Sequence, residues 1–239
     1  MKFPRILLSA AAALAVSFSI AGAANASIIT NGFTFAVASG SDIDVGTHYH
    51  SSTGGDFGNP AGKAEVGRFG IEEVRGMSEY DLTGLAASAS AFVTFDVFKQ
   101  GGLFGGVNDT PFSGWILVEA YVGNNQENIS DYQAPTVASV GSFFVNAITM
   151  NPSVGDVISF DITSVFNNAI ANGDASLGIR LRADRSNAEF GLSRAWTFDD
   201  FRLTTDDQTT RVPEPGSLAL VALALTGLGV AARRRAGKR

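Results

Sequence analysis

The chain has 239 residues, of which 45% are hydrophobic and 17% charged, with 27 glycines, 18 phenylalanines and no cysteine. This composition excludes a disordered chain and a long coiled coil, and the lack of cysteine excludes disulfides, thiolate nucleophiles and Cys-ligated metal sites. Residues 27–211 contain 22 acidic and 10 basic side chains, which would repel a phosphate backbone. We therefore expect no nucleic acid among the partners of this chain.

Residues 1–26 have the three-part pattern of a secretory signal peptide. Two cations precede an apolar run at residues 6–20, and small residues follow at Ala24 and Ala26. The apolar run is shorter than the roughly 20 residues that a membrane-spanning helix needs. The pattern therefore predicts export through the inner membrane, with cleavage after Ala26.

Short runs of β-branched and aromatic residues, separated by Gly, Asn, Asp and Pro turns, fill the body of the chain. No βαβ rhythm is visible, so we predict an all-β fold, a single antiparallel jelly-roll-like β-sandwich over residues 27–205. Apolar residues on one helical face before Gly173 predict one short helix within this body. The predicted strands are 32–38, 65–80, 87–98, 114–121, 137–145, 157–160, 177–183 and 196–203.

Two segments of the body lack a periodic pattern. Residues 101–106 are rich in glycine and predict a long flexible loop, whose Leu103 and Phe104 either fold back onto the core or project as a contact surface. Residues 206–211 are polar and predict a linker after the sandwich.

Residues 212–239 combine helix breakers, an apolar segment at 217–232 and a cationic tail at 233–239. Because the apolar segment has no polar face, we expect a transmembrane helix of about 24 Å, slightly short for a bilayer. The cationic tail would stay in the cytoplasm and leave the body outside the inner membrane. The residues that define this pattern are Val212, Pro213, Glu214, Pro215, Arg233, Arg234 and Arg235.

This three-part order resembles the PEP-CTERM sorting signal of exosortase substrates, over residues 212–239 only. The resemblance implies that the tail holds the exported chain in the inner membrane until an exosortase, a membrane-embedded cysteine transpeptidase, cuts near the Pro-Glu-Pro. The recognition and processing region would then be residues 212–215. Such proteins are typical of Gram-negative bacteria that produce exopolysaccharide and form biofilms or flocs, which implies a final location at the cell surface or in the extracellular matrix.

The body carries a second resemblance. Residues 68–85, which include the run RGMSEYDLTGL, resemble the opening strand of DNRLRE-type carbohydrate-binding-like jelly rolls of bacterial surface proteins. Residues 160–165 and 177–182 resemble the second half of the same pattern. Tyr80 stands where Phe is usual, and the loop 101–106 is an insertion. The resemblance implies a jelly roll and a glycan ligand.

Glycan binding requires exposed aromatic faces that stack on sugar rings. We expect Tyr132 to be the most exposed aromatic residue, because polar residues flank it, with Tyr121 and Tyr49 as further candidates. Trp115 and Trp196 lie in apolar runs and are expected in the core.

His48 and His50 are the only histidines. In a strand they would share one face and could share a metal ion. An exposed polar loop is the interpretation that we favour, because two ligands make an incomplete site without a placed carboxylate. Asp42 and Asp44 would be the nearest supplements in sequence.

Calcium is the metal that suits the acidic body, because it binds hard oxygen ligands. The candidate ligands are Asp42, Asp44, Asp199 and Asp200. No DxDxDG loop is present, so the sequence requires no cofactor and leaves calcium as an option.

The sequence lacks G-x-S-x-G, HExxH, Walker A and dinucleotide-binding motifs. The acidic doublets at 72–73, 199–200 and 206–207 would point to opposite faces of a strand, so none of them is itself a catalytic pair. We therefore predict a protein that is not an enzyme.

Together these patterns predict an exported surface or matrix protein that is processed by an exosortase and associates with exopolysaccharide. Two alternatives stay open. A convergent carboxylate pair in a cleft would favour a secreted carbohydrate-active enzyme. The absence of an exposed aromatic residue or acidic pocket would favour a purely structural surface protein.

Overall fold

The computed structural model of the chain describes residues 27–55 and 60–207. All of them belong to the compact unit Ala26–Val212. The predicted signal peptide, most of the predicted linker and the whole C-terminal segment lie outside the described residues. Within the described residues, no helix has the length and apolar character to cross a bilayer.

Strands dominate the described residues. The strands are β1 (Ile28–Asn31), β2 (Phe33–Ser39), β3 (Gly46–Ser51), β4 (Ala64–Phe69), β5 (Glu72–Asp81), β6 (Phe92–Lys99), β7 (Gly114–Gly123), β8 (Thr136–Val145), β9 (Val157–Asp161), β10 (Ser176–Ala183) and β11 (Ala195–Thr204). The helices are a 3-10 helix (Ile129–Gln133) between β7 and β8 and α1 (Thr163–Asn172) between β9 and β10.

All strand pairs are antiparallel and run in the order β8-β7-β10-β5-β4-β11-β6-β9. Strand β5 is one branch point, because it pairs with β10, β4 and β2, and β11 is another. Strand β2 also pairs with β3, and β1 pairs with β11. The sheet folds over so that β7 and β10 face β6 and β11 across one hydrophobic core. The predicted antiparallel all-β fold with one short helix is confirmed.

The main core depends on the two-residue period of its strands. Ile116 and Val118 on β7 point inward and are fully buried, as is Phe95 on β6. The Phe95 ring stacks on Phe201 at a centroid distance of 4.6 Å and lies 5.6 Å from Phe198. Each of these large side chains contributes about 1.5–3 kcal/mol by leaving water.

Helix α1 begins and ends where the sequence predicts. Asp161 Oδ1 accepts hydrogen bonds from the backbone N–H and the hydroxyl of Thr163 at 2.8 and 2.6 Å. Gly173 ends the helix in the left-handed conformation, with φ of 74°, which glycine adopts without steric cost. Phe166 anchors the helix in the core.

The ends of the described body lie side by side. The backbone N–H of Thr205 donates to the carbonyl oxygen of Ser27 at 2.9 Å, and the N–H of Ser27 donates to the Thr205 hydroxyl at 3.1 Å. Strand β1 therefore joins the start of the body to the end of β11.

Several elements differ from the sequence prediction. The predicted strand 65–80 is a hairpin, because the chain turns at Gly70, where φ is 60°. Strands β1 and β3 and the 3-10 helix were not predicted. The interpretation of His48 and His50 as residues of an exposed loop is wrong, because both lie in β3.

Candidate functional site

Trp115 and Phe144 form an exposed aromatic pair on the outer face of the sheet. Trp115 on β7 is 47% exposed and Phe144 on β8 is 45% exposed. The two residues are opposite each other in the strand register, and their rings meet edge to face at 5.4 Å. The prediction of a buried Trp115 is wrong, because Ile116 takes the inward position and alternation turns Trp115 to solvent. Trp196 is fully buried, as predicted.

Polar groups hold and border this pair. The side-chain amide of Asn187 accepts from the backbone N–H of Trp115 at 2.8 Å and donates to its carbonyl oxygen at 2.9 Å. Leu117, two residues along β7, lies opposite Ser142 and Arg182 on the neighbouring strands. We call these residues the aromatic face: Trp115, Leu117, Ser142, Phe144 and Arg182.

The tyrosines predicted to contact glycan do not lie on this face. Tyr132 and Tyr121 are fully buried, so neither can stack on an external sugar ring. The Tyr132 hydroxyl donates to the carbonyl oxygen of Ile43 at 2.7 Å, and burial raises its pKa to about 12. Tyr49 is partly buried, and its hydroxyl donates to the carbonyl oxygen of Glu127 at 2.8 Å. The prediction of an exposed Tyr132 is wrong, because the 3-10 helix that carries this residue packs against β2 and β3.

The aspartates predicted as calcium ligands do not converge either. Asp42 accepts the backbone N–H of Asp44 at 3.0 Å and so closes a turn. The other predicted ligands form ion pairs, which balance their charge without a metal ion. These pairs are Asp44 with Arg185 at 2.7 Å, Asp199 with Lys63 at 2.6 Å and Asp200 with Arg202 at 3.1 Å.

A buried polar network lies beneath the 3-10 helix. Arg180 on β10 is 4% exposed and donates to Glu119 Oε2 at 2.8 Å. Its guanidinium also donates to the carbonyl oxygens of Tyr132 and Ala134 at 3.0 and 2.9 Å. Burial alone would raise the pKa of Glu119, but the hydrogen bonds and charges of Arg180 and Arg182 more than offset it and lower that pKa.

Glu79 and Asp131 form a carboxyl pair within this network. Glu79 is fully buried and accepts hydrogen bonds from the backbone N–H groups of Asn124 and Asn125 and from the Tyr121 hydroxyl. Burial and the negative charge of Glu79 raise the pKa of Asp131 to about 7. This interaction takes place inside the fold, whereas a glycosidase pair stands about 5–9.5 Å apart around its substrate.

We expect Asp131 to make the protein less stable as pH rises. Its pKa is about 7 in the folded state and near 3.8 in an unfolded chain, so its stabilising contribution is complete below pH 3.8 and is lost as pH rises to about 7. Asp131→Asn should remove this loss. The measurement is the difference in Tm between the variant and the wild type from pH 4 to 8. A difference that stays constant across this range would contradict the assignment.

A third polar cluster lies between β3 and the β4–β5 hairpin. His48 and His50 share one face of β3, with ring centroids 5.4 Å apart. Glu72 Oε2 lies 3.6 Å from Nε2 of His48 and 3.9 Å from Nε2 of His50. The nearby carboxylate is therefore Glu72 rather than Asp42 or Asp44.

The opposite side of His50 is closed by buried groups. Glu65 on β4 is fully buried, with its Oε2 3.5 Å from Nδ1 of His50. Asn108 donates its side-chain N–H to Oε1 of Glu65. The rings of Phe69 and Phe104 lie 5.1 and 4.7 Å from the His50 ring. Of the two alternatives for the Gly-rich loop, Phe104 folds back, and it covers this cluster.

A cavity of about 210 Å³ lies between α1 and the β7–β8 pair. Its lining is mainly apolar and amide side chains, among them Val122, Val137 and Asn168. Asp174 is the carboxylate in this lining. One carboxylate does not form the pair that a glycosidase needs.

Comparison with known proteins identifies a sorting motif in the C-terminal segment. Residues 211–235 match the family model of the PEP-CTERM protein-sorting motif. No curated protein shows significant similarity to the chain. All the predicted motif residues, from Val212 to Arg235, fall within the match, although outside the described residues.

A β-rich domain followed by this sorting motif supports an exported protein that an exosortase processes, and the transient C-terminal membrane anchor stays a prediction. In particular, the chain carries the PEP-CTERM signal of an exosortase substrate, which makes an exosortase its processing partner. The signal peptide with cleavage after Ala26 stays a prediction.

Proposed function

We propose that this exosortase-processed protein is a non-enzymatic component of the cell surface or extracellular matrix and that it associates with exopolysaccharide in biofilm or floc. The observation that supports this proposal is the exposed pair of Trp115 and Phe144 on neighbouring strands. Calcium is not needed for this association.

The aromatic face has the parts that a sugar-binding surface uses. The exposed ring of Trp115 offers a flat apolar area on which the C–H groups of a sugar ring can stack. Arg182 and Ser142 can bond to hydroxyl groups at its border. Strand pairing and the Asn187 amide already fix the backbone of Trp115. Binding therefore costs little conformational entropy at this residue.

The carboxylates of the described residues support a non-enzymatic role. Glu72 and Glu73 point to opposite faces of β5, where Glu72 faces His48 and Glu73 pairs with Arg75 at 2.8 Å. Glu79 and Asp131 are both buried inside the fold. These arrangements leave no room for a substrate between two acids.

We expect Trp115→Ala to weaken polysaccharide retention by at least about tenfold, or about 1.4 kcal/mol. The full chain, kept soluble in mild detergent, is sedimented with exopolysaccharide purified from the producing organism, with and without chelator. Ile148→Ala is the matched control, because Ile148 is 89% exposed but lies outside the aromatic face.

Saturable retention of the wild type and of Ile148→Ala, with loss in Trp115→Ala, would support the proposal. Retention that survives Trp115→Ala would place the binding surface elsewhere. No retention of the wild type would favour the purely structural alternative.

A further inference from the structure

We propose that His48, His50 and Glu72 bind one divalent first-row transition-metal ion at the edge of the sheet. The site is formed by two histidines of β3 and the first residue of β5. It is independent of the aromatic face and of any polysaccharide ligand.

The three side chains are close to the spacing that a metal ion imposes. Their ligand atoms all lie within 4.8 Å of one another. Metal–ligand bonds of about 2.0–2.1 Å in tetrahedral geometry put neighbouring ligand atoms about 3.3 Å apart. The carboxylate of Glu72 is 3.6 and 3.9 Å from the two Nε2 atoms, so these two distances are within about 0.6 Å of the spacing in a tetrahedral site.

The Nε2 atoms of both histidines lie near the carboxylate of Glu72. The Thr47 hydroxyl lies 2.9 Å from Nδ1 of His48 and donates its proton to the carbonyl oxygen of Ala38 at 3.4 Å. Its oxygen can therefore accept a hydrogen bond from the Nδ1–H of His48, and in that tautomer the Nε2 lone pair can bind a metal ion. Glu65 stands in the same position for Nδ1 of His50, as the carboxylates behind metal-bound histidines do.

The charges of the cluster also favour a cation. In the described part of the chain, the ion pairs of Glu65 and Glu72 involve histidine and neither lysine nor arginine. Glu73, which follows Glu72, is as fully buried as Glu65 but pairs with both Arg75 and Arg185. A buried carboxylate is costly without a compensating charge. A divalent ion bound beside the two histidines would supply this compensating positive charge to Glu65 and Glu72.

The donors select the class of metal. Two imidazoles and one carboxylate suit zinc and the other first-row transition ions, whereas calcium prefers oxygen ligands alone. The side chain of His48 is 43% exposed, so the ion can enter from solvent. Among the described strands, β3 pairs with β2 alone, and the ion would fasten this edge strand directly to the β4–β5 hairpin.

The test uses the full chain in detergent, made without a polyhistidine tag and stripped of metal by chelator. We expect one zinc ion per chain after dialysis against zinc, measured by mass spectrometry of the metal, and a rise in Tm. Titration with cobalt should give visible absorption bands that report nitrogen and oxygen ligands. A wild-type chain with no bound zinc and no Tm rise overturns the proposal.

Variants assign the ligands. His48→Ala and Glu72→Gln should each reduce zinc affinity by at least about tenfold, and Asn108→Ala, which removes support from Glu65, should reduce it less. Asp109→Asn is the charge-matched control for Glu72→Gln, because Asp109 is exposed and outside the cluster. Circular dichroism checks that each variant is folded. Wild-type affinity in both folded ligand variants would also overturn the proposal.

Discussion

Trp196→Ala is expected to destabilise the protein by about 3–5 kcal/mol. The indole is fully buried in the main core, and its Nε1–H donates to the carbonyl oxygen of Phe112 at 2.8 Å. The substitution therefore leaves a large cavity and removes the hydrogen-bond donor of a buried backbone group. The free energy of unfolding is measured in urea on the unit Ala26–Val212.

Trp115→Ala is the matched control, because it makes the same chemical change at an exposed site. We expect it to change the free energy of unfolding by no more than about 0.5 kcal/mol, as surface substitutions usually do. Equal losses in the two variants would contradict the inward and outward alternation of the strands that carry these residues.

Arg180→Ala is expected to cost about 3–5 kcal/mol, because it removes one partner of a buried ion pair. The Arg180 guanidinium is surrounded by Glu119, the Thr136 hydroxyl and carbonyl oxygens of the 3-10 helix region. Without it, the Glu119 carboxylate keeps its bonds to Arg182 and to the Thr136 hydroxyl but loses its buried partner. The carbonyl oxygen of Ala134 also loses the guanidinium as a donor. Urea unfolding of the same unit measures the loss.

Arg194→Ala is the control for this prediction. Arg194 also forms an ion pair, with Glu189 at 2.7 Å, but its side chain is 35% exposed. Such a pair contributes about 0–1 kcal/mol. A loss below about 1 kcal/mol for Arg180→Ala would show that the buried network does not hold the 3-10 helix in place.

The all-β fold was predictable because its main strands carry their own pattern. Residues 92–98 and 114–121 are dense in β-branched and aromatic side chains, and each lies in a strand. The apolar helical face before Gly173 likewise identified the helix. The 3-10 helix was missed because its position depends on contacts with β3 and with Arg180, which are distant in sequence.

The candidate sites were predictable only in part. The spacing of His48 and His50 indicated a shared face, but Glu72 reaches them through the β4–β5 hairpin, which local pattern does not reveal. Trp115 is exposed because the alternate residues of β7, which include Ile116, point inward. Both Trp115 and Ile116 are apolar, so the sequence alone does not tell which one points inward. The polar residues around Tyr132 indicated exposure, whereas backbone packing buries it.

The junction of Ser27 with Thr205 determines how the body would bear mechanical load. Tension on the chain after Thr205 reaches the fold through β11, which is hydrogen-bonded to β6, β4 and β1. A pull along the axis of β11 must shear these bonds together instead of peeling them apart one at a time. A domain tethered at this end would thus resist drag from its far side, such as that of flowing water or entangled polymer.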